Sequence, residues 1–177
     1  LVANGIRPEN ILAITFTNKA ANEMKERITA LLKEQNQKTS PFVSTFHALG
    51  AYILRRNGKH IDVPSNFSIL DKKDTLTIVK NVMADLQIDI KQFQPQKMLS
   101  IISRQKGELV DVDDFLSEAG EDFFLKTLGM IWKKYEEALK KNDALDFEDL
   151  VSKAVMLFKK NKEVREYYQD LWKYILI

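Results

Sequence analysis

The chain has 177 residues, 45 % of them apolar and 29 % charged, with no cysteine, four prolines and a formal net charge of +2. At roughly 150 residues per domain this is one core, or one core with an insertion, and its ordinary globular balance is well away from that of a disordered chain. The lack of cysteine excludes a disulfide scaffold, a cysteine nucleophile and a thiolate metal centre, and the small net charge means that any nucleic-acid contact must come from a local patch rather than a bulk polycation.

Residues 1–3 read as the tail of a helix closed by Gly5. Residues 11–16 (ILAITF) form a continuous apolar run of strand length, the pattern of a parallel strand buried on both faces. Thr17 and Asn18 offer helix caps, after which Ala20, Met24, Ile28, Leu31 and Leu32 recur at helical spacing. Pro41 marks a break, residues 42–46 (FVSTF) read as a second short strand, and Ala48, Leu49, Tyr52 and Ile53 begin another helix. Strand–helix–strand–helix is the grammar of a parallel α/β sheet.

The character then changes. Turn signals stand at residues 57–59 and 64–66. Asp71 can cap a helix carrying Leu76, Val79, Met83 and Leu86, and Pro95 opens one with Met98, Leu99, Ile101 and Ile102 that ends near Gly107. Residues 111–122 hold six acids, and a long helix follows with Phe124, Leu128, Ile131, Trp132, Tyr135 and Leu139 on one face. Asp146 caps the next helix, with Leu150, Ala154, Leu157 and Phe158 inside, and Val164, Tyr167, Tyr168, Leu171 and Trp172 make one more. Residues 173–177 read as a buried strand, so the expectation is a piece of a longer protein; an apolar terminal edge strand is the alternative. The predicted class is α/β, mostly helical: a partial parallel sheet with an inserted all-α block. No stretch has the roughly 18 apolar residues of a membrane span and no leader pattern is present, so no membrane partner is expected.

No complete catalytic site is legible. There is no GxxxxGK[ST] or GxGxxG phosphate cradle, and His47 and His60 have no carboxylates at helical spacing to complete a metal site. The two strand-to-helix junctions are the informative places. Phe16, Thr17 and Asn18 at the first, and Thr45, Phe46 and His47 at the second, put rings and hydroxyls at the C-terminal ends of parallel strands, where open α/β sheets bind ligands. First-turn amides favour phosphate there, and an aromatic ring offers a stacking surface to a base. The competing reading has Thr17, Asn18 and Thr45 as ordinary caps, His47 as a cap and the phenylalanines as core. His60 reads as a surface residue. Two basic runs, Arg55, Arg56 and Lys59, and Lys91, Lys97, Arg104 and Lys106, either bind phosphates or are solvated faces. The six acids at 111–122 would repel a polyanion and should face away from one.

Residues 11–27 (ILAITFTNKAANEMKER) resemble motif Ia of the UvrD/PcrA/Rep group of superfamily I DNA helicases, and residues 44–48 (STFHA) resemble its motif Ib. Residues 66–71 (NFSILD) and 145–150 (LDFEDL) also match the group's pattern, in order and at similar separations, and residues 174–177 (YILI) resemble what precedes its DExxQD motif. The resemblance covers essentially the whole chain. It implies that residues 1–57 and 145–177 belong to the first RecA-like motor domain and that residues 58–144 are an inserted helical subdomain. It also implies an ATP-dependent parent helicase that translocates on single-stranded DNA and unwinds duplex in repair or replication, in the cytoplasm, with ATP and Mg²⁺ held by motifs outside these residues. The chain alone would bind neither and turn over no ATP. Carried over, Phe16, Thr17, Asn18, Thr45, Phe46, His47, Asp146 and Phe147 would contact the strand, and Arg55, Arg56, Arg104 and Lys106 duplex phosphates. A noncatalytic nucleic-acid-binding module and a nuclease-coupled helicase subunit are the alternatives. Loss of sheet neighbours predicts self-association through residues 11–16 and 173–177.

Overall fold

In a computed structural model, residues 1–34 and 39–177 are described. They form two compact units, Leu1–Ile61 with Ala154–Ile177, and Asp62–Lys153. The fold is mostly helical with a small parallel sheet, as expected from the sequence.

The first unit is built on a three-stranded parallel sheet. Its strands are β1 (Ile11–Thr15), β2 (Phe42–Thr45) and β5 (Tyr174–Leu176), in the order β2-β1-β5. Strand β1 is central, which is why its apolar run is unbroken: Ile11, Leu12, Ala13 and Ile14 are all buried. The β1–β2 register pairs Leu12 with Phe42 and Thr15 with Thr45, so the two strands end level. Helix α1 (Asn18–Glu34) follows β1, and α2 (Phe46–Asn57) follows β2 directly. An aromatic cluster packs the unit: Phe42 lies 4.7 Å from Tyr52 and 5.3 Å from Trp172, and Trp172 stacks on Tyr168 at 5.1 Å. The buried Tyr168 hydroxyl donates to Asn57 Oδ1 at 2.9 Å. Burial and neighbouring Tyr52 push its pKa up to about 12, so it stays a neutral donor.

Strand β5 corrects one expectation. It pairs with β1 as a parallel strand, but it is exposed rather than buried, with Ile175 58 % and Leu176 50 % accessible. Its side chains are exposed, and it is an outer strand of the sheet.

The second unit is a helical block of α3 (Lys72–Asp85), α4 (Pro95–Gly107), α5 (Val112–Glu118) and α6 (Phe123–Lys141), continued by the first turns of α7 (Phe147–Lys160). In the first unit the rest of α7 leads to α8 (Lys162–Leu171). Val79, Met83, Met98, Ile102, Leu128, Ile131, Trp132, Tyr135 and Leu139 form the block's core, a set that joins the apolar stripes of α3, α4 and α6. Asp71 starts α3 with a reciprocal capping box to Asp74. The acidic stretch is structured: Asp111 caps α5 and Asp122 caps α6, while Phe115 and Leu116 turn toward α6.

Two short strands close the block. Strand β3 (Ser68–Ile69) and β4 (Ala144–Leu145) pair in parallel, with Ser68 opposite Ala144 and Ile69 opposite Leu145. Asp143, at φ 47°, turns the chain from α6 into β4, and its carbonyl accepts from the Ser68 amide at 2.9 Å. This pairing brings together the two motif-bearing segments, 66–71 and 145–150.

Candidate functional site

The two junctions of the first unit converge because β1 and β2 end in register. Phe16 follows Thr15 and Phe46 follows its partner Thr45, so their rings lie 5.2 Å apart at a 40° tilt. Phe16 is 78 % exposed and Phe46 is half-buried. The hydroxyls behave as caps: Thr17 Oγ1 accepts from the Ala20 amide at 3.1 Å, and Thr45 Oγ1 accepts from the Ala48 amide at 3.2 Å. The capping reading thus holds for Thr17 and Thr45. Phe16 stands outside the core and Phe46 is partly buried, while Asn18 and His47 are exposed residues in the first turns of α1 and α2. Both helix starts have first-turn amides outside the helical ladder and a positive dipole end. Chemically this is a ring platform flanked by two anion-favouring helix starts, matched to a stacked base and its adjoining phosphates. Thr45 is buried, so its part is to hold the α2 start rather than to touch a ligand.

The basic candidates separate. Arg55 and Arg56 are exposed in the last turn of α2, with the Arg56 guanidinium 3.8 Å from the centre of the Tyr52 ring. In the second unit Arg104 is exposed on α4. Lys106 is not available to DNA, which corrects the expectation from its basic run. Its side chain is 5 % exposed, and its ammonium meets Asp146 at 2.6 Å, Glu136 at 2.8 Å and Asp149 at 3.0 Å.

Asp146 is corrected in the same way. It is 2 % exposed, so it cannot reach a strand outside the protein. Its Oδ1 accepts from the Asp149 amide at 2.8 Å, capping α7, and its Oδ2 accepts from Lys106 and from the Tyr135 hydroxyl at 3.0 Å. Asp149 Oδ2 accepts in return from the Asp146 amide at 3.2 Å. Lys153 adds a second cation, 3.2 Å from Asp149 and 3.7 Å from Glu136. Burial, with Asp149 beside it, raises the Asp146 pKa to about 6 against the pull of Lys106. Burial also opposes ionisation of Asp149, but Lys106 and Lys153 outweigh it and hold its carboxyl below the ordinary range. Lys106, despite burial, is held well above the usual lysine range by the three carboxylates. Sequence reading found Asp146 as a cap but not this cluster, whose members lie on α4, α6 and α7. The available signal was the Asp-x-x-Asp spacing of a capping box at 146–149.

Phe147, next to Asp146, is 48 % exposed. It lies at a pocket of about 320 Å³ beyond the paired strands β3 and β4, lined also by Leu70, Leu76, Leu99, Ser103 and Glu148.

The chain has no Gly-rich phosphate loop, and the described residues hold no cluster of three His, Cys, Asp or Glu able to bind a metal ion. Three carboxylates do converge at Lys106, but the ammonium fills their centre. Among the described residues no helix is long and apolar enough to cross a membrane.

Comparison with known proteins bears on all of these residues. The family described as UvrD/REP helicase N-terminal domain matches residues 1–177. ATP-dependent DNA helicase PcrA of Staphylococcus epidermidis is 41 % identical over 170 residues, which is 96 % of this chain and 23 % of that protein. ATP-dependent DNA helicase PcrA of Staphylococcus aureus is 40 % identical over the same shares. The chain therefore spans about a quarter of the length of the curated relatives it matches.

Proposed function

The chain belongs to the UvrD/REP helicase N-terminal domain family, and on that premise we propose that it is the strand-gripping portion of an ATP-dependent DNA helicase of the cytoplasm, acting in repair or replication. Residues 1–57 and 145–177 are assigned to the first RecA-like motor domain, and residues 58–144 to the inserted helical subdomain. Phe16, Thr17, Asn18, Phe46 and His47 hold single-stranded DNA, Thr45 fixes the start of α2, and Phe147 makes a further strand contact. Arg55, Arg56 and Arg104 reach duplex phosphates. ATP and Mg²⁺ act in the whole helicase through residues other than these.

One observation supports this reading above the others: a 78 % exposed phenyl ring just after a buried strand, 5.2 Å from a second ring just after the neighbouring strand. A phenylalanine so exposed contributes little to folding, whereas a base stacked on it gains roughly 1–3 kcal/mol. The first-turn amides of α1 and α2 supply phosphate binding beside it. The capped threonines keep both helix starts in place, so the grip is preformed.

Titration of the chain with a fluorescein-labelled oligo(dT), across a salt series, tests this. Weak binding that declines steeply with salt is expected, since phosphate contacts release counterions. No ATP turnover is expected from the chain with or without DNA. Absence of oligonucleotide binding at low salt would sink the strand-gripping role. Turnover that tracks with the purified protein would sink the division of labour. The exposed β5 edge also predicts self-association at high concentration, read by sedimentation over a concentration series.

A further inference from the structure

We propose that Lys106 is a positioning residue for the DNA contact made at the start of α7: its buried ammonium ties the Asp146–Asp149 capping box to α4 and α6 and thereby fixes where Phe147 stands. The proposal rests on the reading of Phe147 as a strand-contacting residue.

The stoichiometry supports it. A lysine ammonium has three N–H donors and no acceptor. Three carboxylate oxygens converge on this one: Asp146 Oδ2 at 2.6 Å, Glu136 Oε1 at 2.8 Å and Asp149 Oδ1 at 3.0 Å. Asp146 and Asp149 already cap each other's amides with their remaining oxygens, at 2.8 and 3.2 Å. Each carboxylate thus has one oxygen for the local turn and one for the lysine. Tyr135 on α6 donates to the same Asp146 oxygen at 3.0 Å, and Trp132 Nε1 donates to Glu136 at 3.3 Å. No buried side-chain polar atom among the described residues lacks a partner. A capping box needs no buried cation to work, so the lysine adds something beyond helix initiation: it joins the last turn of α4 to the first turn of α7.

Phe147 is the residue this junction displays. It occupies the first position of α7, between the two capping aspartates, and is 48 % exposed at the 320 Å³ pocket lined by Leu70 and Leu99. A ring in such a place gains from being held still, because a stacking partner fixed in advance spares the ordering cost on binding. Buried ion networks are poor sources of net stability, and in some proteins they select one arrangement, which is the property a displayed contact requires.

The test uses the chain with oligo(dT) affinity and amide hydrogen exchange as readouts. The variants are Lys106→Met, Lys106→Arg, Phe147→Ala and Lys106→Met with Phe147→Ala. Lys106→Met is expected to weaken affinity about tenfold, as Phe147→Ala does, with the pair no weaker than either alone. Exchange at residues 147–150 should accelerate at least tenfold while α3 and α6 keep their protection. Lys106→Arg should not restore affinity, since a planar guanidinium cannot direct three N–H bonds to three converging oxygens. Lys106→Met leaves three facing carboxylates and can unfold the block, so Lys106→Met with Asp146→Asn and Asp149→Asn serves as the neutral version, retaining side chains that cap. It should unfold at the wild-type denaturant midpoint and still bind about tenfold more weakly. Wild-type affinity in that variant, additive losses in the pair, or unchanged exchange at residues 147–150 would overturn the positioning role. An unchanged affinity in Phe147→Ala would instead overturn the strand contact itself, leaving the exchange result to decide the role of Lys106.

Discussion

Replacing Phe16 by Ala should separate binding from folding more sharply than any other change in this chain. Truncating a fully buried phenylalanine costs about 3–5 kcal/mol. Phe16 is 78 % exposed, so about a fifth of that sum, under about 1 kcal/mol, is at stake in burial. The 5.2 Å contact with Phe46 adds about 0.5–1.5 kcal/mol if it behaves like other aromatic pairs. A stability loss of about 1–2.5 kcal/mol is therefore expected. The stacking platform is another matter. Loss of one stacked base costs about 1–3 kcal/mol, which at 1.36 kcal/mol per tenfold is roughly a 5- to 150-fold fall in affinity. The measurements are urea unfolding and anisotropy of a labelled oligo(dT) at one low, fixed salt concentration, because the phosphate component would otherwise drift with ionic strength. Phe16→Trp should keep the affinity. A native-like Phe16→Ala protein that binds within twofold of wild type, or one that loses more than about 3 kcal/mol of stability, would refute the assignment of this ring to binding rather than to the core.

Three further outcomes are expected. Ile131→Ala empties a fully buried position in the core of the helical block and should cost about 2–5 kcal/mol in urea unfolding; a loss under about 1 kcal/mol would mean that the site collapses freely. Gly129→Ala should destabilise by about 1–3 kcal/mol although alanine is the better helix former, because its Cβ would stand 2.3 and 2.7 Å from Leu116 Cδ2 and Cγ and force α5 off α6. A stabilised variant would show that Leu116 moves aside at no cost. Asp146 has a folded pKa of about 6 against an ordinary 3.8, so between those values the folded chain holds a proton that the unfolded chain has released. Its contribution to stability is therefore full below pH 3.8, falls as pH rises through that window and is flat above it, whereas Asp149, held below the ordinary range, works oppositely at more acid pH. Unfolding midpoints from pH 4 to 7 should show a slope that Asp146→Asn removes, and an unchanged slope in the variant would contradict the assignment.

The local signals carried far in this chain. An apolar run at 11–16 suits a strand covered on both faces, and residues 11–15 are the central strand β1. Asp71, Pro95 and the stripe from Phe124 to Leu139 set their helices because caps, φ restriction and 3.6-residue periodicity act within a few residues of one another. Phe16 was legible as a candidate because it is an aromatic ring at a strand-to-helix junction, but its exposure was not, since by residue type it closes the apolar run. The two-residue strands β3 and β4 were not legible, being too short to show a period, and α5 was hidden by its acids, which count as charge in a composition but as caps in a structure.

Residue type and spacing by themselves determined the helices, the central strand and the pair of junctions, since each depends on neighbours in the chain. Tertiary structure alone decided which charges are spent. Arg104 and Lys106 are two residues apart in one basic run, yet the first is exposed while the second is buried under three carboxylates drawn from α6 and α7. Asp146 likewise passed from presumed contact to internal anchor. A charged side chain's role depends on the sign and distance of groups far away in sequence and on how much water remains around it, and neither quantity exists until the chain has folded.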